Sequence, residues 1–162
     1  MAFFDLDVPG LKCSRRTVSL PPNAALSGPR HLRYLASMNP FILVAIGGGI
    51  GAALRHLANL AALRAFGPNF PWATMGINVV GSMAMGLFIE LLARRFGGSQ
   101  ELRLFVATGI LGGFTTFSAF SLDFASLFER GEVVSAFAYA VLSVVLSIAA
   151  LFAGLWLARS FA

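Results

Sequence analysis

Four stretches of this chain stay apolar long enough to cross a bilayer: residues 41–63, 72–93, 104–128 and 134–158. A spanning helix needs about 20 mostly apolar residues, because each residue advances only about 1.5 Å through the hydrocarbon. The segments between them are short and polar. Residues 65–72, AFGPNFPW, hold Gly67, Pro68, Asn69 and Pro71, all turn formers. Residues 94–103, RRFGGSQELR, are basic and contain glycine, and residues 129–133, ERGEV, are charged. No repeat of fixed period accompanies them. The pattern predicts an all-α membrane protein of four transmembrane helices.

Residues 1–37 depart from that pattern. They hold Pro9, Pro21, Pro22 and Pro29, five basic residues (Lys12, Arg15, Arg16, Arg30, Arg33) and no apolar run long enough to span. The apolar stretch of a secretory signal is missing. The expectation is a disordered basic tail ahead of a four-helix domain at residues 38–162. Met38, in SMNPFILVAIGGG, would make a natural start for a compact membrane protein. The tail is therefore expected to be dispensable, or to arise from an upstream start codon.

Composition strengthens the membrane reading. Hydrophobic residues make up 57% of the 162 and charged residues 12%, against roughly 25% charged in soluble domains. The spans leave no room for a soluble enzymatic domain. The net charge of +5 comes from cations in the tail and at span ends, as in membrane anchoring, with no basic stripe for nucleic acid. The single cysteine, Cys13, excludes an intrachain disulfide and a cysteine-based metal site.

The same cations bear on orientation. Without the tail, one side holds Arg94, Arg95, Arg103 and Arg159 and the other Arg64 and Arg130, a weak bias of four to two. The tail raises it to nine to two, a strong N-inside signal.

Polar residues inside the spans carry the chemistry. Residues 112–121 read GGFTTFSAFS. Gly112-Gly113 followed by Thr115-Thr116 should break the third helix near its middle, freeing backbone groups at bilayer depth, where broken helices hold ions. The competing reading is a glycine packing face with hydroxyls bonded back to their own helix. Phe117 and Phe120, three apart, share a face. Their ring edges are weakly positive, so they can guide an anion without trapping it; otherwise they are core. Thr74, Asn78 and Ser82 fall four apart in the second span, and Ser143 and Ser147 four apart in the fourth. These donate hydrogen bonds without charge, to an ion or to a neighbouring helix. No Asp, Glu or Lys joins these stripes, which argues against proton-coupled transport and suits a small hydrated anion.

Few charges lie within the spans. Arg55, in GGGIGAALRH, would cost about 3 kcal/mol at the bilayer centre, so it either snorkels or lines a wet vestibule where it concentrates anions. His56 is expected at the interface, Glu90 near the membrane surface, and Asp123 facing the same cavity or a helix end. Gly47 with Gly51, and Ser82 with Gly86, form small-residue pairs that let helices approach.

Three motifs in one register resemble a known family. GGGIGAALRH resembles its GGxxGxxxRY opening, NVVGSMAMG its NxxGSFxxG second helix, and GGFTTFSAFS its GGxTTFSTFS signature. The chain, from residue 38 to about 160, is thereby similar to the fluoride ion channels of the Fluc/CrcB type. The resemblance implies an antiparallel dual-topology homodimer in the cell inner membrane. It also implies two pores, passive fluoride export and fluoride resistance. It casts Phe117, Phe120, Asn78, Ser118, Thr74, Ser143 and Ser147 as pore residues and Arg55 as the first-helix arginine. Asp123 falls where many members carry Glu, and the carbonyls of Gly112 and Thr115 would hold a structural sodium ion at the dimer centre.

There are departures from the family pattern. His56 stands for the usual Tyr, and Ala119 replaces a hydroxyl residue between the phenylalanines. The basic tail, outside the pattern, opposes two-way insertion and would suit pairing with an oppositely inserted paralogue. A small dual-topology multidrug exporter would need a glutamate in its first helix, and the first span has none. A non-conducting membrane assembly subunit would explain the glycine pairs but not the polar stripes.

Overall fold

The structure, a computed structural model, describes residues 40–161. The expectations for residues 1–37, Cys13 among them, lie outside the described residues. All four spans form helices. α1 is Pro40–Phe66, α2 is Trp72–Arg95, and α5 is Val133–Phe161. The third span divides into α3 (residues 100–114) and α4 (Phe117–Glu129). Each span is long and apolar enough to cross a membrane, and each reaches the length expected from its apolar run.

Glycine closes the turns where the chain must reverse. Gly67 ends α1 at φ +74° and donates its N–H to the Leu63 carbonyl at 3.0 Å, the left-handed stop that L side chains resist. Gly131 does the same after α4, at φ +79°.

Two close helix pairs build the bundle: α1 lies along α3, and α2 along α5. The sequence sets both through missing side chains. A methyl on Gly47 would sit 2.5 Å from the Phe105 carbonyl oxygen, and one on Gly51 would strike the Ile110 carbonyl oxygen. From the other side, a methyl on Gly113 would lie 2.6 Å from the Gly48 carbonyl. The Gly47–Gly51 pair thus serves contact within one chain. Gly86 faces the Leu151 carbonyl and Gly154 the Met83 carbonyl at van der Waals range without room for a methyl. Gly154 carried no sequence signal, because its partner lies on another helix.

The apolar interior is small: Leu127, Ala136 and Tyr139 are buried, with Phe70, Met75, Phe120 and Phe124 packed around them. Large apolar residues such as Phe41, Val134 and Trp156 face outward, as expected for a surface that meets lipid rather than water.

The third span is broken, with its break placed beyond the glycines. Gly112 is helical, and Gly112–Phe114 completes α3. Thr115 (φ −76°, ψ 154°) and Thr116 (φ −154°, ψ 124°) are extended, and α4 restarts at Phe117. Gly113 is used for close approach to α1, whereas branched threonines take the extended backbone that suits them. Back-bonding, the competing reading, holds for Thr115, whose Oγ1 donates to the Leu111 carbonyl at 2.9 Å. Ahead of the break, Arg103–Leu111 winds as a π-helix. Gly112 N–H accordingly reaches back five residues to the Ala107 carbonyl. Such widened turns are rare and gather near functional sites.

Candidate functional site

A cleft of about 530 Å³ opens where the break meets α2 and α5. Asn78, Ser82 and Met85 line it from α2, Gly112, Thr115, Thr116, Phe117 and Phe120 from the third span, and Ser143 and Ser147 from α5. None of its lining residues is charged.

Asn78 holds the break in place. Its Nδ2 donates to the Thr116 carbonyl at 3.1 Å, and Thr116 N–H donates to its Oδ1 at 2.9 Å. The amide side chain thus replaces the peptide partners that Thr116 would have had in a continuous helix. One Nδ2–H remains for another acceptor. Thr116 in turn caps α4, its Oγ1 accepting from Ala119 N–H at 3.3 Å.

These two substitutions free two carbonyls. In an unbroken helix Thr116 N–H would bond the Gly112 carbonyl and Ala119 N–H the Thr115 carbonyl. Both donors are taken by side chains instead. Gly112 and Thr115 therefore present oxygens that have lost those helical partners, hard ligands of the kind alkali and alkaline-earth cations accept. Among the described residues no group of three His, Cys, Asp or Glu could hold a metal.

The opposite wall is unusual in another way. Ser143 is 3% exposed, and among the described residues the buried hydroxyl oxygens of Ser143 and Ser147 have no partner at hydrogen-bond geometry. Buried polar groups are nearly always satisfied, and leaving one orphaned is costly. Tyr139, one turn before Ser143, continues the same stripe.

The two phenylalanines meet at the cleft, ring centroids 5.3 Å apart and inclined by 38°. Phe120 is half-buried, its ring tilted by 33° against Tyr139 with centroids 5.3 Å apart, whereas Phe117 is 75% exposed on the rim.

Other singled-out residues lie elsewhere. Ser118 is exposed, its Oγ 3.1 Å from Thr116 Oγ1. Thr74 and Asp123 line a second cleft of about 300 Å³ beside the α1–α2 turn, where Arg130 Nη2 donates to the Asn69 carbonyl at 2.9 Å. Tyr139 joins the two regions: its phenol donates to Asp123 Oδ2 at 3.2 Å while its ring touches Phe120. Arg55 is half-buried and lines neither cleft, and His56 is exposed. The sequence places Thr116 at the break but not its bond to Asn78 or its cap on α4, and it does not single out Tyr139. Tyr139 looks like one more aromatic in an apolar span.

A four-span membrane bundle, its third helix interrupted over an uncharged cleft, is the class of protein these features define. Residues 42–155 match the family described as CrcB-like protein, Camphor Resistance (CrcB), and the chain belongs to that family. It is 71% identical over 119 residues to a Mesorhizobium japonicum protein named Fluoride-specific ion channel FluC, covering 74% of this chain and 95% of that one. A protein of the same name from a Chelativorans species is 60% identical over 123 residues, covering 76% and 98%. A third, from Hyphomonas neptunium, is 55% identical over 123 residues, covering 75% and 97%.

Proposed function

We propose that the protein is a fluoride-specific ion channel that lowers cytoplasmic fluoride by passive export and so gives fluoride resistance. It is a channel and not an enzyme, like the relatives whose name it would share. The observation that carries the reading is the uncharged cleft at the helix break, in which two buried serine hydroxyls have no hydrogen-bond partner among the described residues.

Fluoride is small and tightly hydrated, so a pore must replace its water with donors held in place. The Ser143 and Ser147 hydroxyls and the remaining Asn78 Nδ2–H are such donors. The Phe117 and Phe120 ring edges add weak positive potential without binding so firmly that the ion stalls. With no titratable group on the cleft wall, transport needs no proton to be taken up or released. Thr74, Ser118 and Asp123 stand outside the first cleft and would act on its approaches, Arg55 at a vestibule.

The reading extends to assembly and a bound ion. The chain would work as an antiparallel homodimer of dual topology in the cell inner membrane, or with an oppositely inserted paralogue. Phe117, projecting at the rim, supports this, since a second copy could close the cleft on that side. A structural sodium ion at the dimer centre would take the Gly112 and Thr115 carbonyls, and their lost helical donors fit that role.

The test is fluoride efflux from liposomes holding only this protein, compared with chloride efflux under the same gradient. Rapid fluoride loss with retained chloride is expected. No fluoride efflux from correctly folded protein would overturn the proposal.

A further inference from the structure

At the end of the bundle where α2 and α5 both finish, one carboxylate gathers two arginines from different helices. Arg94 Nε lies 2.7 Å from Glu90 Oε1, and Arg159 Nε lies 3.2 Å from the same oxygen. The Glu90 side chain is 15% exposed, whereas those of Arg94 and Arg159 are 45% and 58% exposed. One negative charge thus fixes two positive ones, and each guanidinium is held by its inner nitrogen. Both contacts run through Nε, and the outer Nη groups belong to side chains that remain about half exposed. A guanidinium presents those groups as a planar fork that fits two phosphate oxygens.

The surroundings say what kind of phosphate. Three residues before Arg159, on the same face of α5, Trp156 is exposed, and Phe152 is exposed one turn further into the span. Tryptophan in that position marks the level of lipid head groups. The forks therefore sit above a face made for acyl chains, which a soluble phosphate would leave uncovered. The charge balance selects an anionic lipid. This end carries Arg94, Arg95, Arg103 and Arg159 against Glu90 and Glu101, while the other end pairs Arg64 and Arg130 with Glu129 and Glu132.

We propose that Arg94 and Arg159, positioned by Glu90, bind the phosphate of an anionic phospholipid at one membrane face. The proposal rests on the helices spanning a membrane and not on the ion conducted, so it stands or falls separately from the fluoride reading.

The full chain is reconstituted in phosphatidylcholine vesicles containing roughly one-third phosphatidylglycerol, extracted gently, and the lipid retained per chain read by native mass spectrometry. Phosphatidylglycerol should be retained in preference to phosphatidylcholine. Arg94→Gln and Arg159→Gln should each lower its retention about fivefold. Arg103→Gln, which removes the same charge from the same end but outside the pair, should leave retention unchanged. Wild-type retention in the Arg94→Gln, Arg159→Gln double variant would overturn the proposal, as would equal loss in Arg103→Gln. Without any variant, the wild-type chain should melt at a higher temperature with phosphatidylglycerol than with phosphatidylcholine or with inorganic phosphate alone. Equal melting in phosphatidylcholine, or equal protection by inorganic phosphate, would also overturn it.

Discussion

Asn78 and Thr116 exchange two hydrogen bonds across 38 residues of chain, and that pair lets a helix stop and restart inside the membrane. Asn78→Asp keeps the shape and the acceptor but loses the donor to the Thr116 carbonyl. It also sets a negative charge beside the cleft. Stability should fall by about 1–3 kcal/mol, the cost of leaving a buried carbonyl unpaired. Fluoride efflux should fall more than tenfold. Melting temperature and liposome efflux check the two parts. Wild-type efflux would place Asn78 off the ion path, and unchanged melting would mean that the break is held by something else.

Much of this was legible in the sequence, and the exceptions have a common cause. Span number and limits followed from apolar runs, since bilayer thickness sets helix length. The cleft residues Asn78, Phe117, Phe120, Ser143 and Ser147 announced themselves as polar or aromatic groups at helical spacing. The break was foreseen within residues 112–116 and falls at Thr115 and Thr116. Here Gly113 sits under α1 and stays helical. The π-helical stretch, Gly154 and the Tyr139–Asp123 bond depend on what lies across from them. A single run of residues carries no such information.

The two phenylalanines should separate pore effects from packing effects. Phe120 belongs to the cluster around Tyr139, whereas Phe117 is mostly exposed on the chain. Phe120→Ile should cost about 1–2 kcal/mol of stability and Phe117→Ile much less, yet both should cut fluoride efflux. Thermal melting and efflux on the same preparations read this directly. Unchanged efflux in both variants would count against ring edges as part of the pathway.

Helix approach offers a test that is independent of conduction. A methyl at Gly51 or Gly154 would overlap backbone atoms of the facing helix, while one at Gly76 would meet nothing within 4 Å. Gly51→Ala and Gly154→Ala should each destabilise the bundle by about 1–3 kcal/mol. Gly76→Ala should be neutral or stabilising by up to about 1 kcal/mol through helix propensity. Equal melting of all three would show that the helices can separate without cost.

Orientation should respond to the tail. A chain starting at Met38 loses five positive charges, taking the arginine and lysine bias from nine to two down to four to two. The shortened chain should insert in both orientations and the full chain mainly in one, as read by accessibility of a single cysteine placed in the ERGEV loop after Cys13→Ser. Identical orientation of both chains would remove the tail from the topology argument.

The serine wall gives the sharpest separation of fold from function. In most buried sites, replacing a hydroxyl by hydrogen breaks a bond and destabilises the protein. Among the described residues neither Ser143 nor Ser147 has a partner at hydrogen-bond geometry to lose, although the Tyr139 phenol lies near Ser143. Removing them deletes a desolvated polar atom and leaves only a small void. Ser143→Ala and Ser147→Ala should therefore melt at or above the wild-type temperature, with a gain of up to about 1 kcal/mol. If those hydroxyls are kept free to replace the water around a passing anion, the same variants should lose fluoride efflux, and the double variant should lose most. A chain that gains stability while losing conduction is explained by hydroxyls that serve the ion. Loss of stability with efflux unchanged would mean that the serines bond across the bundle instead.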